Sequence, residues 1–154
     1  MSDILYGGKN DDIVIGSAGN DVVLGDLGND PVIGVDTGAV APGIGEIDTL
    51  IGGNGFVAEG VDIFVLGDAA RPYYDNGNNR DLGFEDYALI QDYNPVEDII
   101  QLHGSSDRYR LDSSPVGLPS GTAIYYQTDS QDESIGIIGG VSNITFDGGG
   151  FSFV

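Results

Sequence analysis

The sequence has no cysteine, no tryptophan and one methionine, and it carries 5 basic residues against 25 acidic ones. Without cysteine, a disulfide-stabilised scaffold is excluded. The formal net charge of −20 excludes nucleic-acid binding, because that binding depends on basic side chains that neutralise phosphates. No apolar run is long enough to span a membrane, and no N-terminal signal-peptide pattern is present.

The sequence is instead rich in aspartate and glycine. The sequence contains 20 Asp but only 5 Glu, together with 26 Gly. A generic acidic surface would use more glutamate, whereas turns and calcium ligation favour the shorter aspartate side chain. The 40% share of hydrophobic residues argues against disorder throughout the chain. The composition therefore indicates one folded domain that is rich in turns.

Residues 7–33 consist of three consecutive nine-residue units, which begin at Gly7, Gly16 and Gly25. Each unit reads G-x-x-(G/N)-x-D-x-(apolar)-x, and a partial copy precedes the first. The sixth position is aspartate in all four copies, and the eighth position is apolar. These residues are Asp3, Asp12, Asp21 and Asp30 at the sixth position, and Leu5, Val14, Val23 and Val32 at the eighth.

Each unit is predicted to form a six-residue turn followed by a three-residue strand. Small residues at positions one, two and four allow left-handed or tightly turned backbone. The eighth residue is the one that points inward from the strand. Such a short strand cannot bury a core alone, so neighbouring units must stack. If strands alternate between two facing sheets, two units make one coil of about 18 residues, and the sixth-position aspartates stack along its edges.

Stacked aspartates predict bound cations, because uncompensated carboxylates at this spacing repel each other. Calcium accepts six to eight oxygens in flexible geometry, including backbone carbonyls of the kind that glycine-rich turns expose. Magnesium is less suitable, because it requires near-ideal octahedral geometry. The repeat therefore predicts several calcium ions between turns.

This pattern resembles the RTX (repeats-in-toxin) family, whose nonapeptide repeats form a right-handed parallel β-roll with calcium between turns. In that family one turn supplies the carbonyls of positions two and four and its aspartate. The turn one coil later supplies the carbonyls of positions one and three and its own aspartate. The resemblance implies three sites here: Gly8, Asn10 and Asp12 with Gly25, Leu27 and Asp30; Asp3 with Gly16, Ala18 and Asp21; and Ser17, Gly19 and Asp21 with Gly34, Asp36 and a later carboxylate. Asp26 and Gly28 hold positions two and four of the third unit, and glycine is usual where Asn10, Ser17 and Asp26 stand.

After residue 33 the repeat becomes irregular, since Ala39 falls where aspartate is expected. We predict two expanded turns, at about 34–48 and 52–62, the first containing a loop at about 37–46. Asp48 and Asp62 then take the sixth-position role, with Gly52 and Asn54 as further ligands. The alternative is that residues 34–42 form a degenerate repeat.

The repeats are predicted to occupy residues 1–68, and residues 69–154 to form a loop and an antiparallel cap. The loop at 71–86 is either a solvated polar segment or an irregular calcium site with Asp81, Glu85 and Asp86 as ligands. Strands are predicted on both sides of the Asn94-Pro95 turn and at 122–127, 135–139 and 142–146, with a hairpin loop at 128–134. The segment 149–154 resembles the C-terminal signal of type I secretion substrates, or it forms a last strand.

Catalytic signatures are lacking, so we predict no enzyme activity and no catalytic residue. His103 is the single histidine and is expected to pack or to lie at the surface. No cysteine nucleophile, G-x-S-x-G turn or zinc-ligand cluster is present. The preferred function is a calcium-dependent folding module of a secreted or cell-surface bacterial protein, exported by type I secretion machinery. The alternatives are a carbohydrate-binding or adhesive module, which would use the tyrosines, and an accessory domain of a larger extracellular enzyme.

Overall fold

A computed structural model describes residues 1–54, 60–77, 83–127 and 132–154. These residues form twelve β-strands and two short 3-10 turns, Ser106–Arg108 and Phe146–Gly148. The strands are β1 (Ile4–Lys9), β2 (Val14–Ile15), β3 (Val22–Leu27), β4 (Pro31–Ile33), β5 (Ile47–Ile51), β6 (Ile63–Val65), β7 (Tyr87–Gln91), β8 (Ile99–Leu102), β9 (Tyr109–Ser113), β10 (Gly121–Tyr126), β11 (Glu133–Gly139) and β12 (Phe151–Phe153). No helix within the described ranges has the length and apolar character needed to cross a bilayer.

The strands form two sheets, and the chain alternates between them up to β8. The first sheet has the order β1-β3-β5-β7-β11-β10-β9, and the second has the order β12-β8-β6-β4-β2. From β1 to β8, neighbouring strands within each sheet are parallel. The register pairs Ile4 with Val22 and Val14 with Val32, which is one coil of 18 residues. The predicted all-β parallel β-roll is confirmed.

The eighth-position residues form two apolar columns inside the roll. Residues of each column pair directly across neighbouring strands, and most are fully buried. The columns are Leu5, Val23, Leu50, Ile90 and Ile138 in the first sheet, and Val14, Val32, Phe64, Ile100 and Phe151 in the second. Burying one such side chain contributes about 1.5–3 kcal/mol, so a single strand gains too little to stay ordered without its neighbours.

The expanded turns keep the register of the roll. Thr49 pairs with Val22 and Ile63 pairs with Pro31, so Asp48 follows Asp21 and Asp62 follows Asp30 along their respective edges. Residues 37–45 form turns and bends rather than a strand, so the degenerate-repeat alternative for 34–42 is wrong. The extra residues 37–45 lie outside the sheets because the apolar columns set where each strand pairs, and residues 55–59 of the second expanded turn lie outside the described residues.

The antiparallel region is smaller than the predicted cap. Strands β7, β8 and β12 extend the two parallel sheets, and among the described strands antiparallel pairing joins only β9, β10 and β11. The reason is that Ile90 and Ile100 continue the apolar columns above Leu50 and Phe64. The division of the chain into units at residue 68 stays a prediction.

The strand predicted at 142–146 is not formed. Residues 140–145 are irregular, and Phe146 begins a 3-10 turn. The Phe146 ring packs against Phe151 and Phe153, with ring centroids 4.9 and 5.8 Å away. The alternating apolar residues of segment 142–146 therefore belong to a loop that covers the end of the core. Most of the predicted hairpin loop, residues 128–131, lies outside the described residues.

Candidate metal centre

Two ladders of aspartates run along the roll, at the points where turns enter strands. In each ladder, Oδ1 of one aspartate accepts a hydrogen bond from the backbone N–H of the aspartate one coil earlier. The first ladder consists of Asp3, Asp21 and Asp48, with N···O distances of 2.8 and 2.8 Å. The second consists of Asp12, Asp30, Asp62 and Asp98, with distances of 2.7, 3.0 and 3.1 Å.

The second carboxylate oxygen has no hydrogen-bond partner at two ladder positions. Asp21 and Asp30 are almost completely buried, and their Oδ2 atoms accept no hydrogen bond. An ionised oxygen withdrawn from water without a partner is costly, by several kcal/mol for a typical buried ion. These two oxygens therefore mark places where the described residues supply no positive group.

Basic side chains do not fill that role in the described part of the chain. The ion pairs found there are made by Arg110, with Asp112 at 2.6 Å and with Asp132 at 2.9 Å. Both pairs lie beside the antiparallel strands rather than on the aspartate ladders. A hard cation from solution fits the ladders better than any protein group, because it can bind several oxygens at once.

The turns share one backbone conformation despite their different side chains. Positions two and four have positive φ in all three complete units, and these residues are Gly8 (108°), Asn10 (82°), Ser17 (74°), Gly19 (136°), Asp26 (79°) and Gly28 (151°). A non-glycine residue pays about 1 kcal/mol or more to adopt this conformation. Asn10 and Asp26 are of the two types that tolerate it best, whereas Ser17 adopts it without such a preference, so stacking imposes the turn geometry at Ser17.

Glycine at position one is required by close approach of oxygens. A Cβ atom on Gly25 would lie 2.4 Å from the Gly52 carbonyl oxygen and 2.7 Å from Asp30 Oδ2. A Cβ atom on Gly16 would meet the Gly34 carbonyl oxygen at 2.5 Å and Asp21 Oδ2 at 2.8 Å. The unpartnered carboxylate oxygen and a main-chain carbonyl thus face the same small space in both turns. Such a donor set suits calcium.

The structure brings most of the predicted ligands to the two edges. The residues predicted to supply oxygens in the regular units lie in the turns or adjoining strand ends beside the ladders: Gly8, Asn10, Gly16, Ser17, Ala18, Gly19, Gly25, Asp26, Leu27, Gly28 and Gly34. Gly52 and Asn54 lie in the turn after β5. In the described segments no three acidic or histidine side chains converge to hold a metal by themselves. Any ion on these edges must therefore take backbone carbonyls as well as carboxylates.

Two predicted ligands are engaged elsewhere. The Asp36 carbonyl accepts the Ala39 N–H at 3.0 Å inside the expanded turn, and the Asp36 side chain is exposed. The Ala18 carbonyl accepts the terminal ammonium of Met1 at 2.7 Å. The Asp36 position follows from the loop inserted after Gly34, because that loop turns outward before β5 begins.

A tyrosine hydroxyl binds the last aspartate of the first ladder. The hydroxyl of Tyr74 donates to Asp48 Oδ2 at 2.7 Å, and both side chains are fully buried. The residue that pairs with Asp48 in the next strand is Ala88, so no further carboxylate follows. A protein hydroxyl therefore supplies Asp48 with the partner that Asp21 Oδ2 lacks.

Sequence reasoning missed two aspartates of the second edge. Asp98 is the fourth member of that ladder, and its Oδ2 accepts the Asn94 N–H at 2.8 Å. Asp92 accepts the N–H groups of Gly52 and Gly53 at 2.9 and 3.0 Å. The available signal was the pattern Asp-x-Ile-x-Leu at 98–102, which repeats the order of aspartate and apolar residue in the nonapeptides.

Burial and the repulsion of nearby carboxylates raise the pKa of three ladder carboxyls, Asp30, Asp48 and Asp62. The pKa of Asp62 rises to about 7, mainly through burial and further through Asp98, Asp30 and Asp92. The pKa of Asp48 rises to about 6, again mainly through burial, although hydrogen bonds from the Asp21 N–H and Tyr74 oppose the rise. Burial also raises the pKa of Asp30. Without a cation, the folded roll favours protons on these groups.

The calcium-free chain is therefore expected to fold better in acid. Because the folded-state pKa values of Asp48 and Asp62 lie above the ordinary aspartate pKa of 3.8, the stability that these groups contribute is greatest below pH 3.8 and is lost as the pH rises through about 6 and 7. In chelator, lowering the pH from about 8 to about 5 should increase the β-sheet circular-dichroism signal, by an amount that corresponds to roughly 1 kcal/mol or more. Light scattering controls for association. A signal that grows with rising pH would contradict this.

The tyrosines considered for carbohydrate binding are mostly internal. Tyr73, Tyr74, Tyr87 and Tyr125 are buried, and Tyr126 is half-buried. Arg110 covers the Tyr125 ring at 4.3 Å from its centroid. These side chains serve packing and offer no exposed aromatic platform.

The single histidine is held by main-chain groups. His103 Nδ1 lies 2.7 Å from the Asp68 carbonyl oxygen, and the His103 carbonyl accepts the Tyr109 hydroxyl at 2.8 Å. The histidine thus connects the loop after β6 to the segment before β9.

The nonapeptide repeats match a known family model. The family model for the RTX calcium-binding nonapeptide repeat matches residues 1–30 with four copies. Among solved structures, the solution structure of the AlgE6R3 subunit from the Azotobacter vinelandii mannuronan C5-epimerase is similar, with 23% identity, a TM-score of 0.48, and coverage of 86% of this chain and 67% of that chain. Curated proteins yield no match. RTX nonapeptide repeats bind calcium ions, and residues 1–30 of this chain match the model of that repeat.

Proposed function

We propose that this chain is a calcium-dependent folding module of a secreted or cell-surface bacterial protein. The observation that carries the proposal is the pair of buried, unpartnered Oδ2 atoms on Asp21 and Asp30, within ladders of carboxylates that the described basic residues do not neutralise. Calcium between successive turns would supply the missing positive charge. The formal net charge of −20 makes this compensation a precondition for compact folding.

The second edge offers the longest run of such sites. An ion between its first two turns would bind the carboxylates of Asp12 and Asp30 and the carbonyls of the intervening turn residues. The same arrangement recurs between Asp30 and Asp62 and between Asp62 and Asp98, because each pair has the same backbone-to-carboxylate hydrogen bond. Asp30 would therefore contribute to two successive ions.

Calcium-dependent folding gives the module its role in export. Where calcium is scarce, as inside a bacterial cell, the repelling carboxylates would keep the chain unfolded and suited to passage through a type I secretion channel. In calcium-rich surroundings outside the cell, binding to the native state alone would stabilise the roll by mass action. The chain would then act as the extracellular stabilising module of the protein that carries it.

Neutralising Asp30 is expected to raise the calcium concentration needed for folding by about tenfold or more, which corresponds to about 1.4 kcal/mol or more. Asp30→Asn keeps an oxygen for the Asp12 N–H but replaces an ionic ligand that two sites share. The matched control is Asp11→Asn. Asp11 is exposed, and among the described residues it accepts hydrogen bonds from Asn29 alone, at 3.0 and 3.3 Å, so its loss should shift the midpoint little.

The midpoint is measured by circular dichroism during calcium titration. Equal shifts for the two variants would show that the ladder carboxylates are not the ligands, and the proposed function would lose its structural basis.

A further inference from the structure

A second group of carboxylates lies outside the two ladders, where the loop before β7 meets the start of β11. It consists of Asp75, Asp86 and Glu133. Glu133 is 2% exposed and Asp86 is 1% exposed, while Asp75 is half-buried and reachable from solvent. Neither Asp75 nor Glu133 takes part in the ion pairs of the described residues, which involve Arg110.

The short segment 75–77 holds this group together. The Asn76 N–H donates to Glu133 Oε1 at 3.2 Å, and the Asn76 side-chain amide donates to both oxygens of Asp86 at 2.8 and 3.0 Å. The Gly77 N–H donates to Asp75 Oδ1 at 3.0 Å. Asn76 thus bridges Asp86 and Glu133, and Asp75 precedes it directly in the chain.

One oxygen in this group accepts no hydrogen bond. This oxygen is Glu133 Oε2, and it is buried. Burial raises the pKa of Glu133 to about 8, against the opposing hydrogen bond from the Asn76 N–H, and side-chain contact at hydrogen-bond range with Asp75 and the charges of Asp75 and Asp86 raise it further. Two carboxyl groups in such contact, one of them buried, require either a shared proton or a cation between them.

We propose that Asp75 and Glu133 bind a calcium ion at this junction, separate from the ions of the roll edges. Calcium suits the site because it tolerates irregular ligand sets and completes them with carbonyl and water oxygens. Asp86 acts as a positioning residue, since both its oxygens hold the Asn76 amide. The bound ion ties the loop before β7 to β11, and thereby makes docking of the antiparallel strands dependent on calcium.

This site differs from the irregular site predicted from the sequence. Glu85 is exposed, and Asp81 lies outside the described residues. Of the two predicted ligands among the described residues, Asp86 joins the group through Asn76 and Glu85 does not. Glu133 could not be anticipated, because it lies in a strand 47 residues further along the chain.

The test compares Glu133→Gln with Glu85→Gln, a matched change at an exposed glutamate. Calcium per chain is measured by equilibrium dialysis with elemental analysis, and the folding midpoint by circular dichroism during calcium titration. Glu133→Gln should bind one calcium ion fewer than the wild type and should need roughly twofold or more calcium to fold. Glu85→Gln should match the wild type in both measurements.

An unchanged calcium count with folding at lower calcium would overturn the inference, because it would show that the pair shares a proton. If Glu133→Gln fails to fold, Asp75→Asn at the half-exposed ligand answers the same question by the same count. A wild-type chain that binds no calcium would overturn both this site and the proposed function. A wild type that binds calcium, with neither variant losing an ion, would overturn this site alone.

Discussion

Removing calcium with excess chelator at neutral pH is expected to abolish the β-sheet circular-dichroism signal of this chain. Five pairs of stacked aspartates offer a site each. At a calcium concentration a hundredfold above Kd, one site stabilises the native state by about 2.7 kcal/mol, so five would supply about 13 kcal/mol. The free energy of unfolding of a domain of this size totals about 5–15 kcal/mol. Calcium binding therefore contributes more to this stability than all other interactions together.

The loss should reverse when calcium is restored, which separates ligand removal from irreversible damage. Magnesium at the same concentration should restore little of the signal, because it demands tight octahedral geometry and gives up its water reluctantly. A chelated sample that keeps its β-sheet signal and its melting temperature would show that the roll folds on apolar packing alone, and the central conclusion would be wrong.

A chain truncated after Asp68 is expected to remain unfolded even in millimolar calcium. The truncation removes β7 and β8, which pair with β5 and β6 and bury Leu50 and Phe64. Exposure of each of these side chains costs about 1.5–3 kcal/mol. The truncation also removes the Tyr74 hydroxyl, which donates to Asp48. It removes the Asp98 carboxylate as well, which accepts the Asp62 N–H, so the last turn on each edge loses its hydrogen-bond partner.

Circular dichroism during calcium titration checks this prediction, with the full chain as reference. Removal of β12 alone is a graded control, since it deletes only the outermost strand beside β8. That shorter truncation should fold at a higher calcium concentration rather than fail. The prediction is wrong if the chain ending at Asp68 gains the same signal at the same midpoint as the full chain.

The regular part of the fold follows directly from local spacing. Glycine at position one, turn-forming residues at positions two and four, an aspartate at six and an apolar residue at eight predict the turn, the ligand and the inward side chain in every unit. Val23 and Val32 occupy the columns expected of them. The expanded turns were also predictable, because Asp48 and Asp62 precede apolar residues in the same order as in the regular units.

Where the period stops, spacing no longer predicts pairing. Ile90 lies 40 residues after Leu50, yet it stacks directly upon it. Strand order there depends on which apolar side chain can cover the open end of the column, and a variable loop can intervene at little entropic cost. For the same reason the sequence predicts that Asp98 belongs to the cap, whereas in the structure it is the last member of the second ladder.

The sequence by itself determined the β-roll, the two aspartate edges and calcium as the ion, because all three arise from contacts that repeat every nine or eighteen residues. Tertiary structure alone decided how the edges end and what lies beyond them. Tyr74 reaches Asp48 from 26 residues away, and Asn76 reaches Glu133 from 57. These contacts form between segments without common periodicity, so only the packing of the whole chain brings them together.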